Sequence, residues 1–344
     1  MTSSPRHSYG ITLHPSAYQP LLRVLDMDES TFRRRTAVDG PIGGNGRIDV
    51  DAVAHKDEVQ SASFRANRES FERLLREGLD VRWEHALAEI QTKPDGVILN
   101  MQNGQKIVEK FVVGADGPHS NTRITLLPKV ELKVLPVVAF NGKRRVKQRL
   151  FHEIYAPHMK DSNIVEARKN GALLHVSVNE NAGDSVSVSW IYSRLSHGSS
   201  DPLHKPNRPV AGATDIPEKF YDEIGALKDL EQPFADIFDE EKLRDERVLH
   251  WLMRTVMIPL SELQALAKQD VIFLGDSVHA QPILGGWGAN AAIKDAIELA
   301  EHIAKNGSKG VADWYEARYA MWSADVEKSE KMIMEMHQGQ KCTL

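Results

Sequence analysis

The sequence predicts an α/β protein, α+β when taken over its whole length: a parallel-sheet domain, a mainly antiparallel β-sheet domain inserted into it, and a C-terminal helix. Three observations carry this expectation. Two short apolar runs end in glycine and aspartate: Phe111-Val112-Val113 before Gly114-Ala115-Asp116-Gly117, and Val271-Ile272-Phe273-Leu274 before Gly275-Asp276. Such runs read as strands covered on both faces, as in a parallel sheet, whose ligands gather beyond the carboxyl ends of the strands. Between them, 134–138, 173–178 and 186–192 read as strands. The last alternates Val186, Val188, Trp190 and Tyr192 against Ser187, Ser189 and Ile191, as a sheet with one wetter face does. Finally, apolar residues recur at helical spacing from Trp314 to Met336. With 344 residues the chain exceeds what one core usually holds, so it is expected to divide into residues 1–128, 129–255 and 256–344, the first and last sharing the parallel-sheet domain.

Taken in order, Phe64 to Leu75 places Arg68, Phe71, Leu74 and Leu75 on a helix; a guanidinium near its start suits phosphate, because its planar fork donates two hydrogen bonds at once. The Asp116-Gly117 turn follows a strand, and Gly117 permits a sharp bend that Ser120 can cap. Taken alone, such a turn is an ordinary strand end. Tyr192 and Arg194 close the third middle strand, where they either orient an acidic substrate group or serve as a structural aromatic and a surface arginine, the simpler reading. Residues 197–217 are rich in Pro, Gly and Ser and read as a long loop, and 220–247 as charged helix. At Asp276 a carboxylate beyond a strand can accept hydrogen bonds from sugar-like hydroxyls. The glycines Gly285, Gly286 and Gly288 let backbone N–H groups approach an anion, and the helix that follows points its positive end to the same place.

The stretch Gly275-Asp276, His279, Pro282 and Gly286-Trp287-Gly288-Ala289-Asn290 resembles the second flavin fingerprint of the aromatic-hydroxylase family of FAD-dependent monooxygenases, and Lys110 to Arg123 resembles that family's Asp-Gly motif. The resemblance implies a Rossmann-like FAD-binding domain with Arg68, Asp116, Gly117, Asp276, Gly286, Gly288, Ala289 and Asn290 at the cofactor, FAD as the cofactor and NAD(P)H as co-substrate. It names no catalytic side chain, since the chemistry runs through the flavin. It further implies hydroxylation or epoxidation of a hydrophobic small molecule of aromatic or polyketide type, with secondary metabolism as the setting. Trp287 stands where the family has a smaller or polar residue. Family members open with a strand, a Gly-x-Gly-x-x-Gly turn and a helix. The cluster Gly40-Pro41-Ile42-Gly43-Gly44-Asn45-Gly46 has neither that spacing nor a following helix, so the FAD domain is expected to be incomplete, without its first βαβ unit. The alternatives are therefore a flavin-free remnant that binds a ligand or partner, or another flavin oxidoreductase.

Composition limits other classes. The formal charge of −5, with no dense basic run beyond Arg33-Arg34-Arg35 and Lys143-Arg144-Arg145, gives no reason to expect nucleic acid. Cys342 is the single cysteine, so no internal disulfide forms. The 14 histidines show no metal-ligand spacing, and no Gly-x-Ser-x-Gly elbow occurs. No run of about 18 apolar residues and no apolar leader is present, which makes the cytoplasm the expected location and a membrane span unexpected.

Overall fold

The computed structural model describes residues 8–40, 63–94, 96–159 and 162–338. The glycine cluster beyond Gly40, and Cys342, lie outside the described residues.

The first layer is small. Strands β1 (Gly10–Leu13) and β2 (Phe64–Asn67) pair antiparallel, and helices α1 (Pro15–Val24), α2 (Glu29–Thr36) and α3 (Arg68–Leu75) pack around them. Local chemistry sets the helix starts. Pro15 occupies a first-turn position where its missing N–H costs nothing. Asp28 accepts from the Thr31 N–H at 2.8 Å, and Asn67 accepts from the Ser70 N–H at 2.9 Å. Phe32, Phe64, Phe71 and Tyr18 interlock edge to face, with Tyr18 and Phe64 5.3 Å apart, and fill this core.

A three-stranded antiparallel meander follows, β3 (Leu87–Lys93), β4 (Gly96–Met101) and β5 (Lys106–Glu109), which the sequence reading did not anticipate. Strand β6 (Val112–Gly114) then leads to helix α4 (Asn121–Leu126). Next come β7 (Lys133–Lys147), α5 (Gln148–Leu150), a π-helical turn at Phe151–Tyr155, α6 (Ala156–Met159), β8 (Ile164–Lys169), β9 (Ala172–Ala182) and β10 (Ser185–Leu195). The charged stretch expected as one helical region is three short helices, α7 (Glu218–Gly225), α8 (Phe234–Ile237) and α9 (Glu240–Arg244), before β11 (Leu249–Thr255). The chain returns through α10 (Leu260–Ala267), β12 (Val271–Phe273), α11 (Asp276–His279), α12 (Gly288–Asn306) and α13 (Val311–Gln338). The protein is thus a mixed α/β molecule; among the described residues its parallel pairing is confined to β6 and β12. No helix among them is long and apolar enough to cross a membrane.

The five-stranded sheet, in the order β11-β7-β10-β9-β8, is antiparallel throughout and has two unlike faces. The outer face carries Val138, Phe140, Leu174, Val176, Trp190 and Tyr192 against Phe220, Phe234, Ile237 and Leu243 of α7, α8 and α9. Gly142 is required there, because a Cβ on it would lie 2.4 Å from the Trp190 ring. Tyr192 and Arg194 belong to this outer face and are structural. Tyr192 donates to Glu223 at 2.7 Å, and Arg194 bridges Glu223 and the fully enclosed Asp201. Burial pushes the Asp201 carboxyl up, but Arg194 and the His197 and Leu203 N–H groups outweigh it and hold it well below the usual carboxylate range. Arg194→Met is expected to destabilise the protein by about 3 kcal/mol or more, read as a lower midpoint in urea, because it strands a buried carboxylate.

His250 stacks on Phe140 at 4.8 Å, and neither ring nitrogen has a partner among the described residues. Burial, with Arg208 and Lys205 nearby, pushes its pKa down to about 4. The folded state therefore resists a proton that the unfolded chain accepts below the ordinary histidine value of 6.5. Stability contributed by the neutral ring is intact above that value and falls as pH drops toward 4, by about 3 kcal/mol in total. His250→Phe should flatten the fall in melting temperature over that window; an unchanged slope would contradict this account.

Candidate cofactor site

Parallel pairing of β6 and β12 puts Val112 opposite Val271 and Gly114 opposite Phe273. The two Gly-Asp turns therefore leave adjacent strands at the same end, Asp116 two residues past Gly114 and Asp276 three past its partner Phe273. Side chains lock the turns together. The Ser277 hydroxyl donates to the Gly114 carbonyl at 2.6 Å. Arg123, 1% exposed, donates from its two terminal nitrogens to the Ser277 carbonyl at 2.9 Å and the Pro118 carbonyl at 2.5 Å. A buried guanidinium whose two terminal nitrogens are both held by carbonyls is a rigid bracket. The fixed offset of Arg123 from Asp116 was visible in the sequence, but its partner 154 residues away was not.

Each residue expected at the cofactor is then placed. Asp116 spends its carboxylate on its own turn, accepting from the Ser120 hydroxyl at 2.5 Å and from the Thr122 N–H and hydroxyl at 3.1 Å each. Gly117 has φ +81°, a conformation that favours glycine, and the space above it is open. Asp276, by contrast, accepts no hydrogen bond among the described residues. Burial raises its pKa, while His279 and Arg68 pull it back. Arg68 is therefore within electrostatic reach of Asp276. It opens α3, donates to the Tyr9 hydroxyl at 2.8 Å, lies 5.1 Å over the Tyr9 ring and pairs with Glu72 at 2.6 Å. Tyr9 carried no signal in the sequence.

The glycine loop ends against Asp276. A Cβ on Gly288 would come 3.2 Å from the Asp276 Oδ1, so the α12 start and the carboxylate share one small volume. Ala291 makes the first helical bond back to Trp287, at 3.0 Å. The N–H groups of Gly288, Ala289 and Asn290 are consequently the unsatisfied donors of the first turn. Gly286 has φ +70° and open space over it. The Asn290 side chain is fully used inside the protein, accepting from the His14 N–H at 2.8 Å and donating to the Thr12 and Gly286 carbonyls. It pins β1 to the loop, so only its backbone faces outward. Trp287 lies flat on His14, centroids 4.4 Å apart, which accounts for a large ring at this position.

His279 points away from this volume. It is buried against Trp322 at 4.7 Å, with Nε2 2.6 Å from Asp295, and Asp295 also accepts from Arg318 at 2.6 Å and the Trp322 indole at 3.0 Å. Burial raises the Asp295 carboxyl, but these donors dominate and keep it below its ordinary range. The network fixes the α11 turn that presents Asp276.

The FAD binding domain family matches residues 249–328. FAD-dependent monooxygenase adaC of Aspergillus niger is 32% identical over 97% of this chain and 86% of its own length. FAD-dependent monooxygenase nscC of Trichophyton tonsurans is 33% identical over 91% of this chain and 80% of its own length. Among solved structures, a monooxygenase containing FAD from Photorhabdus luminescens has a TM-score of 0.69 at 19% identity, covering 97% of this chain and 89% of its own. HpxO of Klebsiella pneumoniae, complexed with FAD and uric acid, has a TM-score of 0.68 at 14% identity, covering 98% of this chain and 81% of its own. These two likenesses concern the fold, whereas the fungal relatives extend to the sequence along nearly the whole chain. The chain belongs to the FAD-dependent monooxygenases.

Proposed function

We propose that this protein inserts one oxygen atom into a hydrophobic aromatic or polyketide-type small molecule, by hydroxylation or epoxidation, in the making of a secondary metabolite, with residues 129–255 supplying the substrate-facing sheet. The observation that carries the cofactor side of this reading is Asp276: a half-buried carboxylate that, among the described residues, has no donor of its own, set against helix N–H groups without partners there and within reach of an arginine. That donor and acceptor set fits FAD. In this reading Asp276 accepts from the ribityl hydroxyls, Arg68 meets the phosphates, and the N–H groups of Gly288, Ala289 and Asn290, with the open Gly286, face the pyrimidine edge of the ring. Asp116 and Gly117 shape the neighbouring turn, Gly117 leaving room for close approach.

FAD, when bound, takes two electrons from NAD(P)H and, with O2, supplies one oxygen atom to the substrate while the other leaves as water. The chain's own residues bind, orient and exclude water. Val137 and Ala139 of β7 and Met253 of β11 form one buried cluster with Ile333 of α13, which joins the sheet to the last helix. Leu195, Trp251 and Leu284, partly exposed at its margin, favour a substrate of low polarity, which apolar surface desolvates cheaply.

Purified protein is expected to be yellow or to quench FAD fluorescence on titration, and to couple NAD(P)H oxidation to oxygen uptake. Failure of both would sink the reading. Asp276→Leu removes the acceptor without adding bulk and should weaken FAD about tenfold or more. Asp116→Asn should act mainly on stability, by about 1 kcal/mol, and leave FAD affinity close to that of the unaltered protein.

A further inference from the structure

Facing the flavin-side layers, the inner surface of the five-stranded sheet is apolar only in part. One of its rows runs straight across five strands by register: Leu249, Asn141, Ile191, His175 and Glu166. On one side lies the row of Trp251 and Ala139, in the cluster with Leu284 and Ile333. On the other lie Ser177, which accepts from Arg65 at 3.0 Å, and Asn179, which accepts from the Gly10 N–H at 2.9 Å. The row therefore sits between the place where the glycine loop lands on the sheet and the place where β1 and β2 land.

Two groups in it have unused polar capacity. Asn141 is 5% exposed, its Oδ1 is sealed from solvent, and neither end of its amide has a partner among the described residues. A buried acceptor without a donor is rare enough to call for a cause. His175 is bound at one end only, Nδ1 lying 2.9 Å from Glu166. Burial pushes the Glu166 carboxyl up, but His175, Arg168 and His337 outweigh it and hold it below the ordinary range. An ionised carboxylate only accepts, so Nδ1 carries the hydrogen, and Nε2 has no partner among the described residues. Asn141 and His175 are two strands apart, about 10 Å, with the Ile191 side chain between them on the same face.

We propose that Asn141 and the Glu166-held His175 form a polar clamp that selects a fused aromatic substrate bearing oxygen functions at opposite ends. The ring system lies over Ile191. A phenolic hydroxyl at one end donates to His175 Nε2, and the oxygen function at the other is met by the Asn141 amide. Both are positioning residues, and the proposal rests on the placement of the substrate on this sheet in the function proposed above.

The test uses flavin-loaded protein and two probes of one shape, 2,6-dihydroxynaphthalene and 2,6-dimethoxynaphthalene, with dissociation constants read by fluorescence titration. The unaltered protein should prefer the diol about tenfold or more, because the diether cannot donate. His175→Phe and Asn141→Leu, which keep shape, should each reduce that preference several-fold, Glu166→Gln by less, and the double variant should bind both probes alike. Melting temperature and FAD affinity should stay near those of the unaltered protein; should His175→Phe fail to fold, His175→Asn with Asn141→Leu gives the same reading. A preference unchanged in the variants, or absent in the unaltered protein, overturns the clamp. Loss of flavin binding or of NAD(P)H oxidation with the diol preference intact would instead count against the proposed reaction and leave the clamp standing.

Discussion

Everything at the cofactor site depends on one short parallel pairing. Strands β6 and β12 are three residues each, and nothing in their own length would hold them. The Ser277 hydroxyl on the Gly114 carbonyl and the Arg123 bracket across Ser277 and Pro118 supply that restraint from the turns. On the far side, the Tyr315 hydroxyl accepts from the Phe273 N–H and donates to the Phe273 carbonyl, closing what would otherwise be an open strand edge. With the pair fixed, the α11 turn can present a carboxylate that makes no hydrogen bond among the described residues, and the α12 start can press against it. Preorganisation of this kind places the cost of burying the acid in the folding of the protein rather than in ligand binding.

The two faces of the larger sheet divide the labour. Its outer face is ordinary core, where even the charged Arg194 and Arg144 are consumed by carboxylates of the covering segment. Its inner face mixes an apolar band with hydroxyl, amide and imidazole groups. Arg65 joins that face to the small first layer, reaching Ser177 and Thr12, and its burial lowers its pKa to about 10. Folding thus couples the five-stranded sheet to the element that also carries Arg68.

Sequence legibility follows the range of the interactions. The apolar triplets ending in Gly-Asp, the helical stripe from Trp314 to Met336 and the alternation in β10 are local patterns, and they give the mixed architecture and the crowding of Asp276, Gly286 and Gly288. The meander β3 to β5 escaped because its two flanking strands are largely solvent-exposed: β3 buries Ile90 alone and β5 buries no residue, so no period-2 core pattern is written there. Tyr192 and Arg194 show a different limit. Alternation separates two faces but does not say which one meets the cofactor layers, and the wetter residues Ser189, Ile191 and Ser193 turned out to do so. Asn141 and His175 share one row only through their common register with β10, and the dual duty of Asn290 needs β1, 278 residues away.

Helix α13 touches every part of this arrangement in turn. Along its 28 residues, Tyr315 holds the β12 edge, Arg318 and Trp322 hold Asp295, Glu330 accepts from Thr255 at the end of β11, and His337 meets Ser193 on β10. At 1.5 Å per residue it is a rod about 42 Å long, and its contacts repeat in phase with the helical turn. The distance and the angle between cofactor layer and sheet are accordingly written in residue count. One residue added between Trp322 and Glu330 would swing the far half by about 100° and unlock the sheet, whereas a whole number of turns would restore the angle and change only the gap.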